Sequence, residues 1–164
     1  MIFIGVGSNI PAKGFPNPKA TIDAAVELFA DFGVDIIETS KWYKTSPVPF
    51  SDQPWFINGV LRVETNLEPV DCLQSLHLIE EIFERTRSVR NESRTLDLDL
   101  LDYDGCITNL ENRVILPHPR LNERAFVLLP LSDICPDWVS PKDGIKIQEL
   151  IRKLHPSQVI KRLN

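Results

Sequence analysis

Asp97 and Asp99 stand in the run Arg94-Thr95-Leu96-Asp97-Leu98-Asp99-Leu100-Leu101, where acid and aliphatic side chains alternate. A period of two belongs to a strand with one wet and one dry face. Both carboxylates then point the same way, roughly 7 Å apart along the strand, and Leu96, Leu98 and Leu100 point toward a core. Acids alternating along a strand are usually its solvated face. Here, however, like charges on neighbouring outward positions repel each other unless a cation lies between them. Hard oxygen ligands of this kind suit one or two Mg²⁺ ions. Arg94 stands beside the pair, and Arg85, Arg87 and Arg90 precede it. Metal-binding carboxylates next to guanidinium groups are what phosphoryl transfer requires.

The distribution of cations points the same way. Between residues 45 and 141 there is no lysine, whereas arginine occurs at 62, 85, 87, 90, 94, 113, 120 and 124. Arginine is favoured where phosphate is recognised by two parallel hydrogen bonds. The competing reading is a salt-bridged surface shared with Glu80, Glu81 and Glu84. The net charge of −5 argues against general attraction to nucleic acid.

At 164 residues, 43% apolar and 25% charged, the chain has the composition of one ordinary globular domain. It has no apolar run long enough for a membrane span. Met1 to Gly7 reads as a strand rather than a signal peptide, so a cytoplasmic location is expected. Cys72, Cys106 and Cys135 show no metal-ligand spacing and are expected to be buried small hydrophobes. His77, His118 and His155 are equally scattered.

These groups need a scaffold. Met1 to Val6 is a first strand, and Gly7-Ser8-Asn9 ends it; Ser8 and Asn9 are expected only to shape the turn. Ala20, Ala24, Leu28 and Phe32 give a helix over about 19–32, closed by Gly33. Residues 34–43 read as a second strand. The proline-rich segment 44–54 reads as a loop, and Trp55 to Thr65 as a third strand. Glu68-Pro69 opens a helix carrying Leu73, Leu76, Ile79 and Phe83. The arginine-rich loop 85–95 leads into the strand of the two aspartates. Strand, helix, strand, strand, helix, strand is the order of a ferredoxin-like βαββαβ core. Such a core is an α+β fold, with an antiparallel sheet and helices packed on one face. A C-terminal extension follows, with a short strand at Val114 to Leu116, a helix near 121–134 and another near 146–154. The two long loops are candidates for lids over a site.

Four motifs then occur in order: Gly5-Val6-Gly7-Ser8-Asn9; Asp52-Gln53-Pro54 with Phe56-Ile57-Asn58; Arg94 to Asp99; and Leu116-Pro117-His118-Pro119 with Glu123-Arg124-Ala125-Phe126-Val127-Leu128. With them the chain resembles the 6-hydroxymethyl-7,8-dihydropterin pyrophosphokinases of folate biosynthesis, over nearly its whole length and as a single domain. The resemblance implies transfer of the β,γ-diphosphate of ATP to the pterin hydroxymethyl group, with AMP leaving. It implies two Mg²⁺ ions at Asp97 and Asp99, a monomer, and catalytic roles for Arg85 and Arg94. By position, Phe56 and Phe126 would sandwich the pterin ring, Asn58 would read its edge, and Thr45, Pro47 and Val48 would line its pocket. Arg85, Arg87, Arg90, Arg94 and Arg124 would lie near the triphosphate. His77, Glu80, Arg113, Ile115 and His118 would lie on the nucleotide side.

The chain departs from the family pattern at Arg90-Asn91-Glu92-Ser93, where relatives often carry tryptophan, glycine and proline. It contains no P-loop and no protein-kinase motif set, so arginines and metal would hold the ATP. A two-metal nuclease would need more ligands than this acid pair supplies. A pterin- or nucleotide-binding module without catalysis is the other alternative.

Overall fold

The structure, a computed structural model, describes residues 1–47, 49–83, 93–109 and 113–163. Its elements are β1 (Ile2–Ser8), α1 (Pro18–Leu28), β2 (Val34–Thr39), β3 (Tyr43–Thr45), β4 (Phe56–Thr65), α2 (Pro69–Ile82), β5 (Asp97–Tyr103), α3 (Ala125–Ile134), α4 (Ile147–Arg152) and β6 (Ile160–Arg162). The strands form one sheet in the order β5-β1-β4-β3-β6, with β2 also on β4. Every pairing is antiparallel. The fold is therefore α+β.

Alternation along the strands sorts the side chains into two cores. Ile2, Ile4 and Val6 of β1, Leu61 and Val63 of β4, and Leu98 and Leu100 of β5 pack with Ile22, Ala25, Leu76 and Ile79 of α1 and α2. These two helices cover one face. Phe3, Val60 and Leu101 point the opposite way and pack with Val127, Leu128, Leu131, Ile147 and Leu150 of α3 and α4. The C-terminal helices cover part of this second face and leave the Asp97/Asp99 end open.

The helix boundaries follow local chemistry. Asn17 caps α1 by accepting the Ala20 N–H at 2.9 Å, and Pro18 takes the first helical position, where no N–H is needed. Gly33 ends the following 3₁₀ turn (Ala30–Phe32) with φ of 77°.

Several expectations are corrected. Residues 34–43 are not one strand: the chain bends at Ser40, whose Oγ takes the Val60 N–H at 2.9 Å in place of a ladder carbonyl. The bend lays Trp42 over Gly59, where any Cβ would come within 2.7 Å of the ring. Val114 to Leu116 forms no strand. Its main chain is held by Thr108, whose Oγ1 accepts the Leu116 N–H at 2.8 Å and whose N–H donates to the Leu116 carbonyl at 2.9 Å. Cys106 is exposed rather than buried, because it follows the Asp104-Gly105 turn; Cys72 and Cys135 are buried. Residues 121–134 divide into a 3₁₀ turn (Leu121–Glu123) and α3, and β6 was not foreseen. Among the described residues, no helix is long and apolar enough to cross a membrane.

Candidate active site

Strand register builds the base of the site. Gly7 of β1 faces Asp97 of β5 on one side and Asn58 of β4 on the other. Gly5 likewise lies between Asp99 and Val60. With no side chain at either glycine, the second face of the sheet has a trough between the carboxylates and Asn58. The fit is close: a Cβ on Gly7 would approach Asn58 Oδ1 to 2.7 Å. Asn58 is itself fixed, since its Nδ2 donates to Thr45 Oγ1 at 2.7 Å. Both residues are buried.

A cavity of about 500 Å³ opens above this trough. Its lining includes Thr45, Pro47, Phe56, Asn58, Arg94, Asp97, Arg124 and Phe126. The two aromatic rings reach the site from different elements, Phe56 from the start of β4 and Phe126 from the first turn of α3. The Arg124 guanidinium stands 5.3 Å from the centre of the Phe126 ring.

Each aspartate has its own arginine. Arg94 Nη1 pairs with Asp97 Oδ2, and Arg124 Nη1 lies 3.4 Å from Asp99 Oδ2. His118 Nε2 is 3.9 Å from the same Asp99 oxygen. Its Nδ1 accepts the Arg120 N–H at 3.1 Å, so the neutral ring carries its proton on Nε2, toward Asp99. Burial pushes the Asp99 carboxyl above its usual range and the Asp97 charge adds to that, against the pull of His118, Arg124 and Arg94. Burial also pushes His118 below its ordinary value, outweighing Asp99. Arg124 is lowered by burial as well.

A carboxylate pair in which burial, and then the neighbouring charge, raises one acid is a donor set that a hard divalent cation fits. Among the described residues, no three His, Cys, Asp or Glu side chains gather into a fuller metal cage. Two carboxylates would leave the remaining positions of such a cation to water.

Not every expected residue comes to the cavity. Glu80 is buried on α2, and its Oε1 accepts the Leu98 N–H at 2.7 Å, holding β5 from beneath between the two aspartates. His77, on α2, does not line the cavity. Arg113 and Ile115 are exposed in the loop before His118 and do not line it either. Val48, Arg85, Arg87 and Arg90 lie outside the described residues, as do Asn91 and Glu92.

Asn9 does more than shape a turn. Its Oδ1 accepts the Arg94 N–H at 2.7 Å, and its Nδ2 donates to the Pro54 carbonyl at 3.0 Å and to Gln53 Oε1 at 3.3 Å. Ser93 Oγ reaches the same Gln53 oxygen at 3.3 Å. Asn9 therefore joins the segment carrying Arg94 to the proline-rich loop.

An antiparallel sheet thus carries two carboxylates, each paired with an arginine, beside a cavity lined by two aromatic rings. The chain belongs to the 7,8-dihydro-6-hydroxymethylpterin-pyrophosphokinase (HPPK) family, whose model matches residues 3–136. It is 37% identical over 158 residues to the 2-amino-4-hydroxy-6-hydroxymethyldihydropteridine pyrophosphokinase of Methylorubrum extorquens, covering 96% of this chain and 95% of that protein. The protein of the same name in Pseudomonas aeruginosa is 37% identical, with 99% and 96% covered. The folic acid synthesis protein fol1 of Pneumocystis carinii is 38% identical over 93% of this chain, which spans only 20% of that longer protein. Among solved structures, the Plasmodium falciparum HPPK-DHPS shares the fold with a TM-score of 0.67 at 15% identity, over 93% of this chain and 43% of that one.

Proposed function

We propose that this chain transfers the β,γ-diphosphate of ATP to 6-hydroxymethyl-7,8-dihydropterin in folate biosynthesis, releasing AMP. The pterin hydroxyl oxygen bonds to the β-phosphorus. The bond from that phosphorus to the oxygen bridging the α-phosphorus breaks, and the hydroxyl proton is released. One observation carries the reading: Asp97, Gly7 and Asn58 form a single cross-strand row. Asn58 and Asp97 are thus two strand spacings apart, about 10 Å. A flat bicyclic ring read at its edge by Asn58 can direct its hydroxymethyl arm toward the carboxylates.

Each side chain has a task in this reading. Phe56 and Phe126 stack on the two faces of the pterin. Asn58 supplies one donor and one acceptor to the ring edge, and Thr45 holds its carboxamide in place. Thr45 and Pro47 form the wall on the β3 side. Arg94 and Arg124 leave their carboxylate partners and grip phosphate oxygens as nucleotide enters. His118, neutral with Nε2–H directed at the site, donates to the nucleotide. Asp97 and Asp99 would hold Mg²⁺, two ions by the family resemblance, and the metal would supply neutralisation of the charge on the phosphates.

The β1-α1-β2-β4-α2-β5 path reads as the ferredoxin-like core and the remainder as its extension; the sheet order β5-β1-β4 with β2 on β4 supports this. The chain reads as one pyrophosphokinase domain acting as a cytoplasmic monomer. The family resemblance supports the monomer, and gel filtration tests it.

Asp97→Asn separates an enzyme from a binding module. Turnover is expected to fall by about 10²-fold or more while pterin affinity, measured by fluorescence titration, stays within about twofold. Retained turnover, or loss of pterin binding in step with turnover, contradicts the assignment.

A further inference from the structure

The family match ends at residue 136, yet residues beyond it line the cavity, Gln158 among them. Gln158 uses both ends of its carboxamide on the main chain flanking Arg124. Its Oε1 accepts the Ala125 N–H at 2.8 Å, and its Nε2 donates to the Glu123 carbonyl at 2.8 Å. The Ala125 N–H opens α3, where helix geometry leaves donors without an intrahelical partner, and Arg124 provides no side-chain cap. Gln158 supplies that partner from 33 residues away.

The residues after Gln158 are tied to β3 and the residue that follows it. The Val159 carbonyl accepts the Ser46 N–H at 3.1 Å, and Ile160 pairs with Thr45 in the β3–β6 ladder. One short segment therefore connects the Phe126 wall to the Thr45 wall. The guanidinium of Arg124 is held separately, by Asp99.

We propose that Gln158 is a positioning residue for the pterin: it sets the separation between the Phe126 ring and the β3 wall and so determines pterin affinity, acting through Ala125 and Glu123 rather than on the reacting atoms. The proposal rests on the pterin reading of the cavity. A ring sandwiched between two aromatics needs their spacing fixed; Asp133 ties the last turn of α3 to Tyr43 of β3, and Gln158 ties the first turn, which carries Phe126.

The test compares wild type, Gln158→Met, Gln158→Glu and Lys161→Ala. Methionine keeps the length of the side chain and removes both hydrogen bonds. Glutamate keeps the acceptor for Ala125. Lys161, in the β6 strand that follows Gln158, has its ammonium over Trp55 and serves as a control. In Gln158→Met the pterin KM is expected to rise by about tenfold, the scale of two hydrogen bonds lost together. Its kcat and ATP KM should stay within about twofold of wild type, and Gln158→Glu should fall in between. Lys161→Ala should match wild type. Hydrogen exchange at the Ala125 and Phe126 amides should be faster in Gln158→Met, and this reads the tether without any turnover. An unchanged pterin KM, or a uniform fall in kcat and both affinities tracking a lower Tm, overturns the proposal. If wild type makes no AMP from pterin, the functional reading fails, and exchange rates at Ala125 still decide whether Gln158 holds α3.

Discussion

The carboxamide oxygen of Asn9 accepts the main-chain N–H of Arg94 at 2.7 Å, across 85 residues of sequence. The same side chain bonds the Pro54 carbonyl, so one buried asparagine locks together two segments that border the cavity. Glycine-rich β1 ends where these segments meet, which places Asn9 at the junction.

Replacing Asn9 with alanine leaves the Arg94 N–H and the Pro54 carbonyl without that partner. A cost of about 1–3 kcal/mol in stability is expected, measurable by urea unfolding. Turnover should fall by more than the stability loss explains, because Arg94 shifts relative to Asp97. A variant that unfolds earlier but turns over at the wild-type rate when folded would show that Asn9 serves stability alone.

Gly7→Ala tests the trough. The added methyl would meet Asn58 Oδ1 at 2.7 Å, and Thr45 prevents Asn58 from withdrawing freely. Overpacking of this kind costs about 1–3 kcal/mol. It should appear chiefly as weaker pterin binding with ATP affinity retained. Equal loss of both ligands, measured by titration calorimetry, would mean that the sheet has shifted rather than Asn58.

Tyr43 ties β3 to α3 behind the cavity, donating to both Asp133 oxygens at 3.2 and 3.0 Å. Burial raises its phenol, aided by Asp133, to about 12 from 10.0. The folded protein therefore holds this proton more tightly than the unfolded chain does. Its contribution is complete below pH 10.0 and is lost as pH rises toward about 12. Tyr43→Phe should be less stable near neutrality and should show a flatter decline over that interval. Parallel pH–stability curves for the two proteins would refute this.

Much of the site could be read from local pattern. The period-two run around Asp97 and Asp99 fixed both the strand and the side its acids occupy, because alternation leaves a strand little choice. The stripes of α1 and α2 and the proline-rich loop were legible for the same reason. What escaped depends on contacts between distant residues. Asn9 reads as a turn former until Arg94 and Pro54 stand beside it. Gln158 lies in a polar tail with no periodicity. Glu80 has the composition of a surface residue, yet it is buried beneath β5 because the edge strand offers a main-chain N–H. The break at Ser40 is equally silent in a β-rich run, since it depends on one hydroxyl replacing a ladder bond.

The central claim is that the carboxylate pair and the pterin cavity work on one transfer of two phosphates. Purified protein is mixed with MgATP and 6-hydroxymethyl-7,8-dihydropterin, and the nucleotide products are separated. AMP formed only when pterin is present, in equal amount with pterin diphosphate, is the predicted result. ADP in place of AMP, or nucleotide turnover indifferent to pterin, would contradict it.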